Sequence, residues 1–176
     1  MPVRRWTWSA PGWGYLAAAG PARLPAATQA EVLRELEQHD AMATAARAGF
    51  LAAFTAGQGP AGDGDYSAVS WLIHRTGITR GAAVGHSAWA RRAATHPRVI
   101  AALAAGQVSE SAGRLICLWT GKLPLEYRDA GDEQLLAAAA GGLGLPDLAA
   151  LFAEMYVRAR GICRIRIRGG SSPTGR

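Results

Sequence analysis

Apolar residues recur at intervals of three and four along most of this chain, the spacing that one buried helix face requires. The longest such stripe ends at Gly57 and contains Leu33, Leu36, Ala43, Phe50 and Phe54. Thr28 is followed three residues later by Glu31, which is the capping-box arrangement that begins a helix. The pattern predicts a scaffold helix of about 28 residues, roughly 42 Å long at 1.5 Å per residue.

A second pattern occurs twice, about 30 residues apart. In each copy an apolar segment leads to a glycine, a β-branched apolar residue, a hydroxyl side chain and a helix rich in small residues. Gly77 and Gly106 suit the left-handed position that ends a helix. Thr79 and Ser109 can accept the free N–H groups that begin the next helix. The pattern predicts tandem helix-turn-helix-like hairpins, or two hairpins that resemble each other by chance.

The same capping and spacing signals predict the other helices. Their expected bounds are 67–76, 79–95, 98–105, 109–120, 132–140 and 146–160. Alanine is abundant, and runs of β-branched residues are almost absent before residue 162, which favours helix over sheet. The predicted fold class is therefore all-α, with a long N-terminal scaffold helix followed by a bundle of shorter helices.

The chain has 176 residues, enough for one domain with a sizeable core. We expect an irregular segment over 1–13 and a helical domain over 14–160. After Arg160 an Ile/Arg alternation gives way to a Gly/Ser/Pro mixture, so we expect a disordered basic tail over 161–176.

The net charge of +6 comes from the two ends of the chain. Six of the 19 basic residues are Arg4, Arg5 and four arginines after residue 163, which leaves 13 basic residues in the body. The 13 acidic residues all fall between Glu31 and Glu154. The body is therefore neutral, and the net charge concerns its ends rather than its fold.

Two cysteines, Cys117 and Cys163, are too few for a disulfide framework or a zinc site, so we expect thiols in a reducing cytoplasm. No apolar run approaches the ~20 residues of a membrane-spanning helix. Tryptophans after Arg4 and Arg5 weakly resemble a secretion signal, but glycines and a proline interrupt the apolar run.

Residues able to bind metals or catalyse reactions are present without the spacing that either role needs. Asp63 and Asp65 resemble the start of a calcium loop, but its further oxygen ligands are missing, which favours helix capping. No metal signature has the spacing of His39, His74, His86 and His96. Core positions are the favoured interpretation for Cys117, Trp71, Trp89 and Trp119. We expect no metal, no cofactor and no small-molecule substrate.

The helix predicted from Thr79 is the best candidate for a binding surface. One side carries Ile78, Ala82, Gly85, Trp89 and Ala93. The opposite side carries Arg80, Ser87 and Arg91, flanked by Arg92 and Arg98. A helix of this kind suits the DNA major groove, where arginine bonds guanine edges or phosphates. The pattern also describes an ordinary solvated helix, so both interpretations stay open.

Four segments carry a family resemblance. They are 24–33, 64–72, 79–83 and 96–109, read as LPAATQAEVL, GDYSAVSWL, TRGAA and HPRVIAALAAGQVS. In order and spacing they resemble the actinobacterial domain of unknown function 222, also called the 13E12 repeat family, over about 14–160. In that family a helical domain usually precedes a variable segment and an HNH nuclease module. This chain has no His-Asn-His constellation with flanking cysteine pairs, so we expect a truncated member whose tail reflects a shifted reading frame.

The resemblance implies a non-catalytic helical module of an HNH-endonuclease-associated protein that binds or positions DNA. Two alternatives stay open. The domain can be a structural or protein-interaction module that positions a nuclease or self-associates without contacting DNA, or the chain can be an inactive fragment.

Overall fold

The structure is a computed structural model that describes Gly12, Gly14, Ala17, Ala18 and residues 20–169, and for 162–169 it describes the backbone. Every regular element that it gives for this part of the chain is helical, without a strand. The predicted all-α fold class is confirmed. No helix of the described residues is long and apolar enough to cross a membrane.

The chain forms two compact units, residues 1–36 and 37–176. A long helix, α1 (Ala26–Ala56), contributes its first turns to one unit and the rest to the other. The expected segments 1–13, 14–160 and 161–176 stay a prediction, because much of 1–13 and all of 170–176 lie outside the described residues.

In the first unit a short 3₁₀ turn, Pro21–Arg23, precedes α1. The Gln29 side-chain amide donates hydrogen bonds to the carbonyl oxygens of Pro21 and Leu24, at 2.8 and 2.9 Å. Because α1 begins at Ala26, the predicted capping box at Thr28 lies inside the helix and does not begin it. An apolar groove of about 590 Å³ lies in this unit, lined by residues that include Ala22, Leu24, Val32, Leu33 and Leu36.

The predicted apolar stripe of α1 is wrong at Leu33, Ala43 and Phe50, which are exposed, whereas Leu36 and Phe54 are partly buried. The buried residues of α1 are Ala41, Thr44, Ala45, Ala48 and Leu51. Leu33 and Phe50, which the sequence pattern places in the stripe, are 64% and 75% exposed. Alanine side chains allow neighbouring helices to approach closely, so Ala41, Ala45 and Ala48 of α1 join the core of the second unit.

Two helical hairpins follow the one-turn helix α2 (Gly59–Gly62). The first joins α3 (Ala68–Thr76) to α4 (Arg80–Thr95), and the second joins α5 (Pro97–Ala104) to α6 (Glu110–Thr120). Gly77 and Gly106 have left-handed φ values of 70° and 65°. Thr79 Oγ1 accepts from the Ala82 N–H at 3.3 Å, and Ser109 Oγ accepts from the Ala112 N–H at 3.2 Å. The predicted turns and caps of both hairpins are confirmed.

The last two helices are α7 (Leu125–Ala140) and α8 (Leu145–Gly169), and both extend beyond their predicted bounds. Helix α7 begins at Leu125 rather than at residue 132, and α8 continues to Gly169 rather than ending at residue 160. Gly131 lies within α7, at a position where a Cβ atom would lie only 2.8 Å from Leu123 Cδ1. The glycine therefore permits close packing instead of ending the helix.

The core of the second unit contains two clusters of buried apolar residues. The larger one joins α1 with α4 to α8, and its most buried large side chains are Val99, Leu103, Ile116, Leu135 and Leu148. The smaller one contains Leu51, Leu72 and Ala83, so it joins α1 to the first hairpin. Helix α4 contributes Trp89 to the larger cluster and Ala83 to the smaller one.

Candidate nucleic-acid interface

Helix α4 is held by its caps and by contacts along one side. Thr79 caps its first turn. Ala83 and Trp89 are buried, and the Trp89 indole N–H donates to Glu110 Oε1 at 3.0 Å. Because Glu110 begins α6, this hydrogen bond links the second hairpin to α4. The side of α4 that remains exposed is therefore presented on a rigid element.

Arg80 and Arg91 are both exposed, as predicted. Eleven residues at 100° each bring their positions to within about 20° of one another around the helix. We use the name outer face of α4 for the exposed side of the helix that carries both arginines. It consists of five exposed residues, which are Arg80, Gly81, Val84, Gly85 and Arg91. Among the described residues neither arginine has a hydrogen bond or an ion pair. Both guanidinium groups are free to bind an anion.

Ser87 does not belong to the outer face, and its predicted exposure is wrong. The residue is 8% exposed, and its hydroxyl oxygen has no hydrogen-bond partner among the described residues. Ala83, Ser87 and Trp89 are the buried residues of α4, so its buried side is rotated from the predicted apolar side toward Ser87. Ala82 and Gly85, which the sequence pattern places inside, are exposed.

Arg92 is half-buried, and its guanidinium carbon lies 4.9 Å from the centre of the Trp89 ring. This is the geometry of a cation–π contact, which stabilises the positive charge against the ring face. Arg92 therefore covers the buried tryptophan at the edge of the outer face.

Arg98 lies on α5 and is occupied by carboxylates of α7. Its Nε donates to Asp129 Oδ1 at 2.8 Å, and its Nη2 lies 3.5 Å from Glu133 Oε2. The hydrogen bond from Arg98 lowers the pKa of Asp129, and the same bond raises the pKa of Arg98. Arg98 is exposed but locally neutralised, so the structure separates it from Arg80 and Arg91.

A buried polar network lies at the corner between α4 and α5. His96 Nδ1 lies 2.9 Å from Asp132 Oδ2, and both residues are at most 5% exposed. The Thr120 hydroxyl lies 2.6 Å from Asp132 Oδ1 and 2.9 Å from the Ile116 carbonyl oxygen, and donates its single proton to one of them at a time. No local spacing in the sequence predicts this network, because His96, Thr120 and Asp132 come from three separate parts of the chain.

Asp65, Ser70 and His74 resemble a serine–histidine–aspartate relay in composition but not in geometry. Ser70 Oγ donates to Asp65 Oδ1 at 2.8 Å, and His74 Nδ1 lies 2.8 Å from the same oxygen. In a catalytic relay the serine hydroxyl donates to the imidazole, which then removes its proton. The hydrogen bond from Ser70 also lowers the pKa of Asp65. These contacts attach the loop before α3 to that helix.

Asp63 acts in the same way. Its carboxylate accepts from the Trp71 indole at 2.6 Å, and its carbonyl oxygen accepts from Arg75 at 2.9 Å. Ser67 rather than either aspartate caps α3. In the described part of the chain no group of three or more potential ligands could hold a metal ion. The two aspartates therefore fasten the loop and do not cap the helix.

Cys117 lies in the larger core cluster and is 4% exposed. Burial, with a further contribution from the charge of Asp132, raises the pKa of its thiol to about 12. A thiol that stays protonated is a poor nucleophile. The predicted inert, buried role of Cys117 agrees with this environment.

The stretch of sequence that contains α4 carries positive charge and no acidic residue. Between Asp65 and Glu110 the chain contains five arginines and no acidic residue. His86 on α4 has its pKa lowered by burial and then by the nearby charge of Arg47, while Glu110 opposes the shift. The two arginines of the outer face therefore come from a stretch of sequence without acidic residues.

No family model matches the chain, and neither a search of curated proteins nor a search of solved structures finds a match.

Proposed function

We propose that this chain is a non-catalytic helical module that binds DNA through the outer face of α4. The observation that carries the proposal is the pair of exposed arginines, Arg80 and Arg91, which have no partner among the described residues. Arginines that stabilise a fold are commonly paired, as Arg98 is with Asp129. Two unpaired guanidinium groups on one side of a rigid helix are suited to phosphate oxygens.

The proposal includes the resemblance to the domain of unknown function 222. In a protein that also has a nuclease module, the helical domain would bind the DNA and the nuclease module would cut it. Ser70 and Cys117 are consistent with this role, because Ser70 donates to a carboxylate and burial raises the pKa of the Cys117 thiol. We therefore propose a binding or positioning role for the chain.

The test is DNA binding by the full chain, measured by fluorescence anisotropy with a labelled 20-base-pair duplex. We expect Arg80→Ala/Arg91→Ala to weaken binding several-fold at low salt, since two phosphate contacts are lost. The matched control is Arg34→Ala/Arg114→Ala, which removes the same charge from exposed arginines of α1 and α6. If the control weakens binding as much as the α4 variant, net charge is responsible and the proposed interface is wrong.

A second candidate function is protein interaction, and the apolar groove of the first unit favours it. Leu24 and Leu33 are 39% and 64% exposed at this groove. Exposed apolar surface of this kind is typical of sites that bind another protein. If the wild-type chain binds no duplex at low salt, this candidate replaces the DNA-binding proposal.

A further inference from the structure

We infer that the outer face of α4 recognises double-stranded DNA through its phosphates and without preference for sequence. This inference rests on the proposed function and specifies its ligand. It follows from three properties of the outer face: the chemistry of its side chains, the distance between its arginines and the location of the nearby aromatic rings.

The first property is the lack of a group that could read bases between the two arginines. Gly81, Val84 and Gly85 supply no hydrogen-bond donor or acceptor from a side chain. Direct readout of bases needs such groups, as when asparagine bonds adenine or arginine bonds guanine in the major groove. The Ser87 hydroxyl could have supplied such a group, but Ser87 is buried and lies outside the outer face. The side chains in the middle of the outer face can therefore contact base edges only through apolar atoms.

The second property is the distance between the arginines. Eleven residues at 1.5 Å each separate Arg80 from Arg91 by about 16 Å along the helix axis. The major groove of B-form DNA is about 12 Å wide. When α4 lies across this groove, its two ends reach the two edges, where the phosphates are. The arginines are therefore placed to bind phosphates of both strands rather than neighbouring bases.

The third property is the absence of an exposed aromatic ring on the outer face. Trp89, the aromatic residue of α4, is 3% exposed and lies under Arg92. Proteins that bind single strands commonly stack bases on exposed aromatic side chains. Double-stranded RNA is also a poor match, because its major groove is too deep and narrow to admit a helix. B-form DNA is the nucleic acid that fits the outer face.

The inference is tested with the full chain and four ligands: two duplexes of unrelated sequence, one of their single strands and an RNA duplex of matched length. The variants are Arg80→Ala, Arg91→Ala and the double substitution, with Ser87→Ala as a control. Each affinity is measured over a series of salt concentrations. Comparing each variant with the wild type cancels the contribution of basic residues elsewhere in the chain.

We expect the two DNA duplexes to bind within about threefold of one another, against the 10³-fold or larger preference typical of specific sites. The slope of log K against log salt should fall by about 0.9 for each arginine replaced, and by about 1.8 for both. Ser87→Ala should bind as the wild type does. The double substitution should weaken duplex DNA binding and leave single-strand and RNA binding unchanged.

A hundredfold preference for one duplex would overturn the inference and leave the proposed function intact. The same holds if the double substitution weakens single-strand or RNA binding as much as duplex DNA binding. If no duplex is bound, the proposed function and the inference fail together. If binding is strong but indifferent to Arg80 and Arg91, the assignment to α4 is wrong.

Discussion

Arginines in two regions of this molecule differ in whether carboxylates pair with them. At the corner between α4 and α5, Arg98 is bonded to Asp129, and the adjacent His96 is bonded to Asp132. On the outer face of α4, Arg80 and Arg91 have no such partner among the described residues. The corner satisfies its polar groups internally, while the outer face leaves its charges to solvent or to a ligand.

This difference teaches that residue type alone does not identify a binding arginine. The sequence pattern groups Arg80, Arg91 and Arg98 together, because Arg98 flanks the polar side of the predicted helix that carries Arg80 and Arg91. Only the packing of α5 on α7 brings carboxylates to Arg98. An arginine becomes a candidate for binding when the fold leaves it exposed and unpaired.

The strongest way to break the corner is to remove Asp132. We expect Asp132→Ala to lower the free energy of unfolding by about 3–5 kcal/mol, because His96 and Thr120 would lose their shared acceptor in the core. Urea denaturation followed by circular dichroism measures this loss. Asp129→Ala is the control, and it should have little effect because that ion pair is exposed. Equal losses in the two variants would show that burial does not distinguish the two bonds.

Glycine substitutions sharpen the comparison with a smaller effect. A Cβ at Gly85 would meet no atom within 4 Å, so Gly85→Ala should raise stability by about 1 kcal/mol through helix propensity. Gly131→Ala should lower stability, because the added Cβ would lie 2.8 Å from Leu123 and 3.2 Å from Thr120, which are both buried.

Gly49 of α1 is the matched control, because it too is helical, exposed and without neighbours within 4 Å. Thermal unfolding of the three alanine variants gives the comparison. If Gly49→Ala stabilises the protein and Gly85→Ala does not, the outer face of α4 is covered in the free protein. That result would contradict the exposure of Gly85 in the structure.

The smallest expected effect is a pH dependence at His86, between the two regions. Because burial lowers the pKa of His86 below its ordinary value of 6.5, the unfolded chain binds a proton more readily than the folded one. The contribution of neutral His86 to stability is complete above pH 6.5 and is lost as the pH falls toward the lowered pKa. Wild type should therefore lose more stability than His86→Gln between about pH 7.5 and about pH 5. Urea midpoints at both values measure this difference, and identical losses would contradict the shift.

Local signals predicted the hairpins well. The caps at Thr79 and Ser109 and the left-handed glycines at 77 and 106 depend on a few consecutive residues, so the sequence contains all that determines them. The predicted start of α7 lies seven residues after the observed start at Leu125, so the prediction leaves out the helical turns that contain Gly131. Its role depends on Leu123 and Thr120 packed against it, which no local pattern contains.

The candidate site was only partly predictable for the same reason. Exposure of Arg80 and Arg91 followed from helical periodicity. The burial of Ser87 and the pairing of Arg98 depend on which neighbouring helix covers each position, and periodicity gives no orientation relative to a neighbour. Leu33 and Phe50 of α1 are exposed although their hydrophobicity predicts burial, because the close approach that Ala41, Ala45 and Ala48 permit places another side of α1 in the core.

The buried bond between His96 and Asp132 also bears on the order of folding. It joins residues 36 positions apart, whereas each hairpin closes through a turn of a few residues. Contacts between residues close in sequence form earlier, because closing a short loop costs less conformational entropy. We therefore expect helix α4 and its outer face to form in the early, local part of folding. The corner also needs α7, so we expect the surface proposed to bind DNA to form before the hydrogen bond that fixes its far end.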